Sequence, residues 1–292
     1  MKTEIKKMNP NDPNEDVLEK AGQLLRQGEI VAFPTETVYG LGAAALSKTA
    51  SEKIYQAKGR PSDNPLIIHI AKLDDLSQIV DEIPEDLYIL ATKFWPGPLT
   101  IIMKKSERVP YETTGGLETV AVRMPNHKVA LQLIEKGGGF IAAPSANSSG
   151  RPSPTSAEHV YEDMNGKIPL ILDCGSVSIG LESTIIDLTQ KIPMILRPGF
   201  VTKEMIESVI GKIETDITIS EENSKQAPRA PGMKYRHYAP KGEMTIIEGD
   251  SDKVIAYINE VAQKEKIAGK RVGVIATQGN FEQYEASYVK CL

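Results

Sequence analysis

Cysteine is nearly absent: of 292 residues only Cys174 and Cys291 carry thiols, far apart, with no CxxC pair and no histidine at ligand spacing nearby. That argues against a structural zinc site and fits a reducing cytoplasm. Aromatic residues make up 5%, with one Trp and five Phe, so a binding surface of stacked rings is not expected. Long apolar runs are missing too. None reaches the roughly 18 residues of a membrane span, and the opening MKTEIKKMNPNDPNED has no apolar stretch after its lysines, so neither a span nor a signal peptide is expected. Positive charge is not in excess. Lys plus Arg number 34 against 39 acids, a net of −5, so affinity for nucleic acid would need a local patch. The familiar motifs of phosphate and hydrolase sites are also lacking. Gly166-Lys167, Gly211-Lys212 and Gly269-Lys270 lack the earlier glycine of a P-loop, and no GxGxxG, HExxH or GxSxG occurs.

What is present is an ordinary globular composition, 40% hydrophobic and 25% charged, long enough for about two domains at roughly 150 residues each. Val17, Leu18, Ala21, Leu24 and Leu25 repeat at helical spacing in Glu15–Gln27, closed by Gly28. Apolar strands are expected at Glu29–Phe33, Leu66–Ile70, Leu99–Met103, Val120–Arg123, Phe140–Ala143, Leu170–Asp173, Thr184–Leu188 and Met194–Leu196. Helices are expected at Ser51–Ala57, Pro84–Phe94, Lys128–Lys136, Ala157–Met164 and Lys203–Ile210. Several strands follow one another with no helix between, which predicts an α/β (α+β) fold: a twisted mixed sheet with flanking helices.

The pattern lapses near Thr218. Asn223–Gly242 holds five Lys or Arg, three Pro and no acid, a linker in composition with unusual charge. Beyond it, a strand at Met244–Glu248, a helix at Ser251–Gln263 and a strand at Arg271–Ala276 predict a small βαβ-type C-terminal domain. The expected division is 1–215, 216–242 as linker or lid, and 243–292.

Polar and cationic groups gather at strand ends. Pro34–Gly42 (PTETVYGLG) offers threonine hydroxyls and glycines after a strand, read either as a small-molecule site or as a turn with an N-cap. Lys58 and Arg60 flank Gly59 and can converge on one anion or simply favour a helix C-terminus. His69 lies inside an apolar strand, where a hydrogen-bonded core role is the usual one. Arg123 ends a buried strand and needs a partner or a ligand. The loop Ala142–Ser153, Glu182-Ser183-Thr184 and Arg197-Pro198-Gly199 complete what can be one concave anion-binding floor.

PTETVYGLG, KGRPSDNPL with IIH, KFWPGPLT, VAVRMP, APSANSSGRPSPT, LESTIIDL and ILRPG, in this order over about residues 14–210, resemble the YrdC/Sua5 family. PGMKYRHYAP at 231–240 resembles the linker of its longer, two-domain Sua5 branch. The resemblance implies a YrdC-like fold and a cytoplasmic threonylcarbamoyl-AMP synthase, a nucleotidyltransferase joining L-threonine, bicarbonate and ATP for the t6A modification of tRNA. It implies that Thr37, His69, Arg123, the Ala143 backbone and Ser183 hold threonine and its carbamate. Lys58, Arg60, Asn64, Thr119, Ser145, Ser153 and Arg197 would hold the nucleotide, with Lys58 and Arg60 catalytic at the transferring phosphate. Mg2+ would accompany ATP, no protein metal site is implied, and Tyr235, Arg236 or His237 would reach the nucleotide from the linker. A tRNA threonylcarbamoyltransferase would take the product. Weak binding of tRNA or double-stranded RNA is a further partner expectation, and two alternatives stand beside this reading: a double-stranded RNA-binding module, and carbamoyl transfer of the hydrogenase-maturation type.

Overall fold

The computed structural model describes residues 2–216, 230 and 242–291. It divides into two compact units, Met1–Ala239 and Pro240–Leu292.

Along the first unit run β1 (Glu4–Lys7), α1 (Glu15–Arg26), β2 (Val31–Phe33), β3 (Gly40–Ala44), α2 (Lys48–Lys58), β4 (Ile67–His69), α3 (Glu85–Phe94) and β5 (Leu99–Lys104). There follow α4 (Tyr111–Thr114), β6 (Thr119–Arg123), α5 (Lys128–Lys136), β7 (Ile141–Ala143), α6 (Ala157–Met164), β8 (Leu170–Asp173), β9 (Thr184–Asp187), β10 (Met194–Arg197), α7 (Lys203–Ile210) and β11 (Glu214–Thr215). The strands form one sheet in the order β1-β8-β2-β3-β7-β4-β6-β5-β9-β10-β11. It is mixed, with β4 parallel to β6 and antiparallel to β7.

Alternation along the strands sends neighbouring residues to opposite faces. Val31 and Phe33 join Leu18, Ala21 and Leu25 of α1 and Val129, Leu133 and Ile134 of α5 in one core layer. Ala32 faces the other layer, with Ile54 of α2, Leu87 and Leu90 of α3, Val160 of α6 and Ile206 of α7. Each fully buried leucine or isoleucine contributes about 1.5–3 kcal/mol. Helix entries are set by polar caps: Asn14, Ser47, Ser156 and Thr202 accept from the first free backbone amides of α1, α2, α6 and α7.

Three strands of this unit, β1, β3 and β11, lie where none was expected. Among the described residues β1, EIKK, pairs with β8 alone, so its lysines and glutamate suit an edge that must stay clear of other chains. β3, GLGAA, lacks β-branched residues yet pairs with β2, Phe33 opposite Gly40.

In the second unit, α8 (Ser251–Ile267) is capped by Asp250 and followed by β12 (Gly273–Ala276), which pairs in parallel with β13 (Tyr288–Cys291). The strand expected at Met244–Glu248 is not formed. Its side chains show why: Met244 and Ile246 are exposed, so alternation there reflects no buried face. Ala276, in β12, is instead opposite Cys291.

Candidate active site

The register of β4, β6 and β7 builds the floor of a cavity. His69 is opposite Arg123 across the parallel pair, and Ile67 is opposite Ala143 across the antiparallel one. Ile67, His69, Arg123 and Ala143 all line it, joined by Thr35, Thr37, Val38 and Gly40 from the β2–β3 connection. Pro144 and Ser145 after β7, Glu182 and Ser183 before β9, Arg60 after α2 and Arg197 at the end of β10 complete the wall. Its empty space, open mouth included, is about 540 Å³.

At one end sits Arg123, almost wholly buried. Its Nε donates to Gly97 O (3.2 Å) and its NH1 to Thr37 Oγ1 (2.9 Å), while NH2 lies 2.7 Å from Glu36 Oε1. That last contact is close without the alignment of a hydrogen bond, and among the described residues both Glu36 oxygens accept none. Burial lowers the Arg123 pKa, with Glu36 opposing the shift. Thr35 Oγ1 accepts from the Thr37 and Val38 amides (both 3.2 Å), folding the loop so that Thr37 faces the guanidinium. The His69 Nδ1–H donates to Ile67 O at 3.1 Å, and burial, aided by Arg123, pushes its pKa down to about 3. It is therefore a neutral imidazole whose other nitrogen is suited to accept.

At the other end, Gly59 ends α2 in the left-handed conformation, φ 62°, and turns the chain so that Lys58 and Arg60 diverge. Arg60 donates to Asn64 O (3.1 Å), Asn64 Oδ1 (2.6 Å) and Pro65 O (2.8 Å). Lys58 is buried beneath the loop after β7, its ammonium donating to the carbonyls of Ser145 and Asn147. Burial, with repulsion from Arg60 and Lys167, holds its pKa well below the usual lysine value. Arg197 donates to Ser183 O (2.9 Å) and Ser183 Oγ (3.1 Å), and Ser183 Oγ shares a hydrogen bond with Thr100 Oγ1 at 2.7 Å.

Of the residues expected from the sequence, Thr37, Arg60, His69, Arg123, Ala143, Ser145, Ser183 and Arg197 line this one cavity. Asn64 reaches it through Arg60, and Ser153 by donating to Glu182. Lys58 and Thr119 do not line it; Thr119 opens β6, at the end away from Arg123. Tyr235, Arg236 and His237 lie outside the described residues. Sequence reasoning placed Thr35 and Glu182 in candidate segments without a role of their own and gave Glu36 none. The need of a buried Arg123 for a partner or a ligand was the available signal, and it did not name Glu36.

A family model described as Telomere recombination, which carries the names Sua5, YciO and YrdC, matches residues 23–199. The chain belongs to the Sua5/YrdC family. A second model, described as the C-terminal domain of threonylcarbamoyl-AMP synthase, matches residues 201–291 of this Sua5-type chain. Threonylcarbamoyl-AMP synthase of Pyrococcus abyssi (strain GE5 / Orsay) is 55% identical over 269 residues, covering 92% of this chain and 78% of the relative. The enzyme of that name from Bacillus subtilis (strain 168) is 50% identical over 284 residues, covering 97% and 80%. A crystal structure of P. abyssi Sua5 complexed with L-threonine matches with a TM-score of 0.93 at 52% identity, over 99% of this chain and 84% of that one.

Proposed function

We propose that this Sua5/YrdC protein is a threonylcarbamoyl-AMP synthase, converting L-threonine, bicarbonate and ATP into threonylcarbamoyl-adenylate and pyrophosphate. The observation that carries the reading is one cavity with two unlike ends: a buried guanidinium beside a hydroxyl and a neutral imidazole, and a cationic end at Arg60 and Arg197. An amino acid's carboxylate suits the first, and a relative has been solved in complex with L-threonine. A polyphosphate suits the second.

In this scheme Arg123 and Thr37 hold the carboxylate, while His69 and Ser183 face the amine and the carbamate. The amine joins carbon from bicarbonate with loss of water, and a carbamate oxygen attacks the α-phosphorus as pyrophosphate leaves. No side-chain nucleophile is needed; holding two anions in line and offsetting the charge that builds on the phosphate is the work. Arg60, Asn64, Ser145, Ser153, Thr119 and Arg197 are assigned to the nucleotide. Lys58, bonded to neutral oxygens, is assigned to the transferring phosphate by way of the loop it supports, and Tyr235 and His237 of the linker are assigned to the nucleotide. Mg2+ would arrive on the polyphosphate. It would be held chiefly by phosphate oxygens and water. The adenylate would pass to a transferase acting on tRNA in the cytoplasm. Among the described residues no helix is long and apolar enough to cross a membrane. Purified protein is expected to release pyrophosphate from ATP only when threonine and bicarbonate are both present. ATP use that ignores threonine would sink the reading.

A further inference from the structure

Glu36 stands apart from the assigned residues. It is buried, does not line the substrate cavity, and lines a second cavity behind it together with His127, Cys174, Ser176 and Ser178. Arg123 lines the first cavity and not the second. The Glu36–Arg123 contact, 2.7 Å long, therefore spans the wall between them.

Two functions for such an acid can be separated by counting donors. The guanidinium plane is already held by Gly97 O on Nε and Thr37 Oγ1 on NH1. Glu36 adds no aligned hydrogen bond. What it adds is charge. We infer that Glu36 is a specificity-determining residue, a built-in counter-ion that cancels the charge of Arg123 so that the carboxylate subsite selects by shape and hydrogen bonding and does not capture other anions. This rests on the cavity being the threonine site.

The need follows from the chemistry of the neighbouring end. A polyphosphate and the pyrophosphate it releases carry several negative charges, and a bare guanidinium buried in a low-dielectric wall would attract them strongly. With Glu36 behind it, Arg123 presents almost no net charge. A carboxylate is then held by hydrogen bonding and shape rather than by net charge.

Glu36→Gln tests the charge alone, because it keeps the side-chain length and an oxygen that can face Arg123. The expected result is that inorganic phosphate and acetate inhibit this variant competitively against threonine at concentrations about tenfold below those needed for the wild type. Acetate should also raise the variant's melting temperature by about 2 °C or more while leaving the wild type unchanged, since it replaces the lost counter-ion. Unchanged anion inhibition together with an unchanged response to acetate would overturn the inference. The melting measurement decides even if the variant turns over poorly. Wild-type protein without threonine-dependent turnover would refute the reading of the cavity, a different result from failure in the variant alone.

Discussion

Arg123 is tied both to a ligand-binding cavity and to a buried acid, Glu36. Viewed only as a ligand-binding arginine, its replacement by alanine should weaken threonine binding and leave folding near normal. The structure changes the second half, because Glu36 would be left buried without its counter-ion. Arg123→Ala is expected to raise the threonine KM by about 10- to 100-fold and to lower the unfolding free energy by about 3–5 kcal/mol. Arg123→Lys, which keeps the charge and loses the fork, should restore most of the stability and little of the threonine affinity. Steady-state kinetics and denaturant unfolding read these separately; wild-type stability in Arg123→Ala would show that the pair contributes nothing.

His69 makes a pH prediction with a definite sign. Its pKa in the folded chain is about 3, against roughly 6.5 in an unfolded one. Between those values the unfolded state binds a proton that the folded state refuses, so stability falls as pH falls through this window. The slope from this residue is at most about 1.4 kcal/mol per pH unit, and His127, also lowered by burial, adds in the same direction. His69→Gln should flatten the decline between about pH 6 and pH 4. Equal slopes for variant and wild type would contradict a neutral, buried imidazole.

At the scale of elements, the site depends on strands too plain to announce themselves. The glycines of PTETVYGLG invite a reading as points where backbone meets ligand, and Gly40 does line the cavity. Their stricter duty is toward Phe33. A Cβ on Gly42 would come within 2.9 Å of Phe33 Cε1 and 2.8 Å of Ile141 Cγ2, and one on Gly40 within 3.0 Å of Phe33 Cζ. The ring that these glycines admit meets His69 edge to face, centroids 6.1 Å apart. Gly42→Val is therefore expected to cost about 1–3 kcal/mol of stability through overpacking. It should also raise the threonine KM more than the ATP KM, because the displaced ring leans on the His69 end; equal effects on both would contradict that coupling.

The same element shows what was legible and what was not. Helices with a clear apolar stripe and a cap, such as α1, and strands rich in isoleucine and valine, such as β6, follow from local pattern. β3 does not, since its pairing is bought by Phe33 on the neighbouring strand, and Met244–Glu248 has the alternation of a strand without a buried face to use it. The site was legible where chemistry concentrates at strand ends, at Thr37, Arg123, Ser183 and Arg197. Glu36 was hidden because its partner is 87 positions away in the chain, and Lys58 because only the fold reveals that its ammonium lies under the Ser145 loop.

For the whole molecule, the net charge of −5 conceals how charge is placed. Cations line a cavity in the first unit, and the acid that tempers one of them stands behind its wall. That placement suits two anionic substrates held side by side, and the account's central claim is that they are joined there. The direct measurement supplies carbon-labelled bicarbonate and ATP labelled at the α-phosphate and follows both labels by chromatography. The account predicts that both labels appear in a single AMP-linked product, only when threonine is present, with release of pyrophosphate. An AMP-linked product without carbon from bicarbonate, or one formed equally well without threonine, would contradict it.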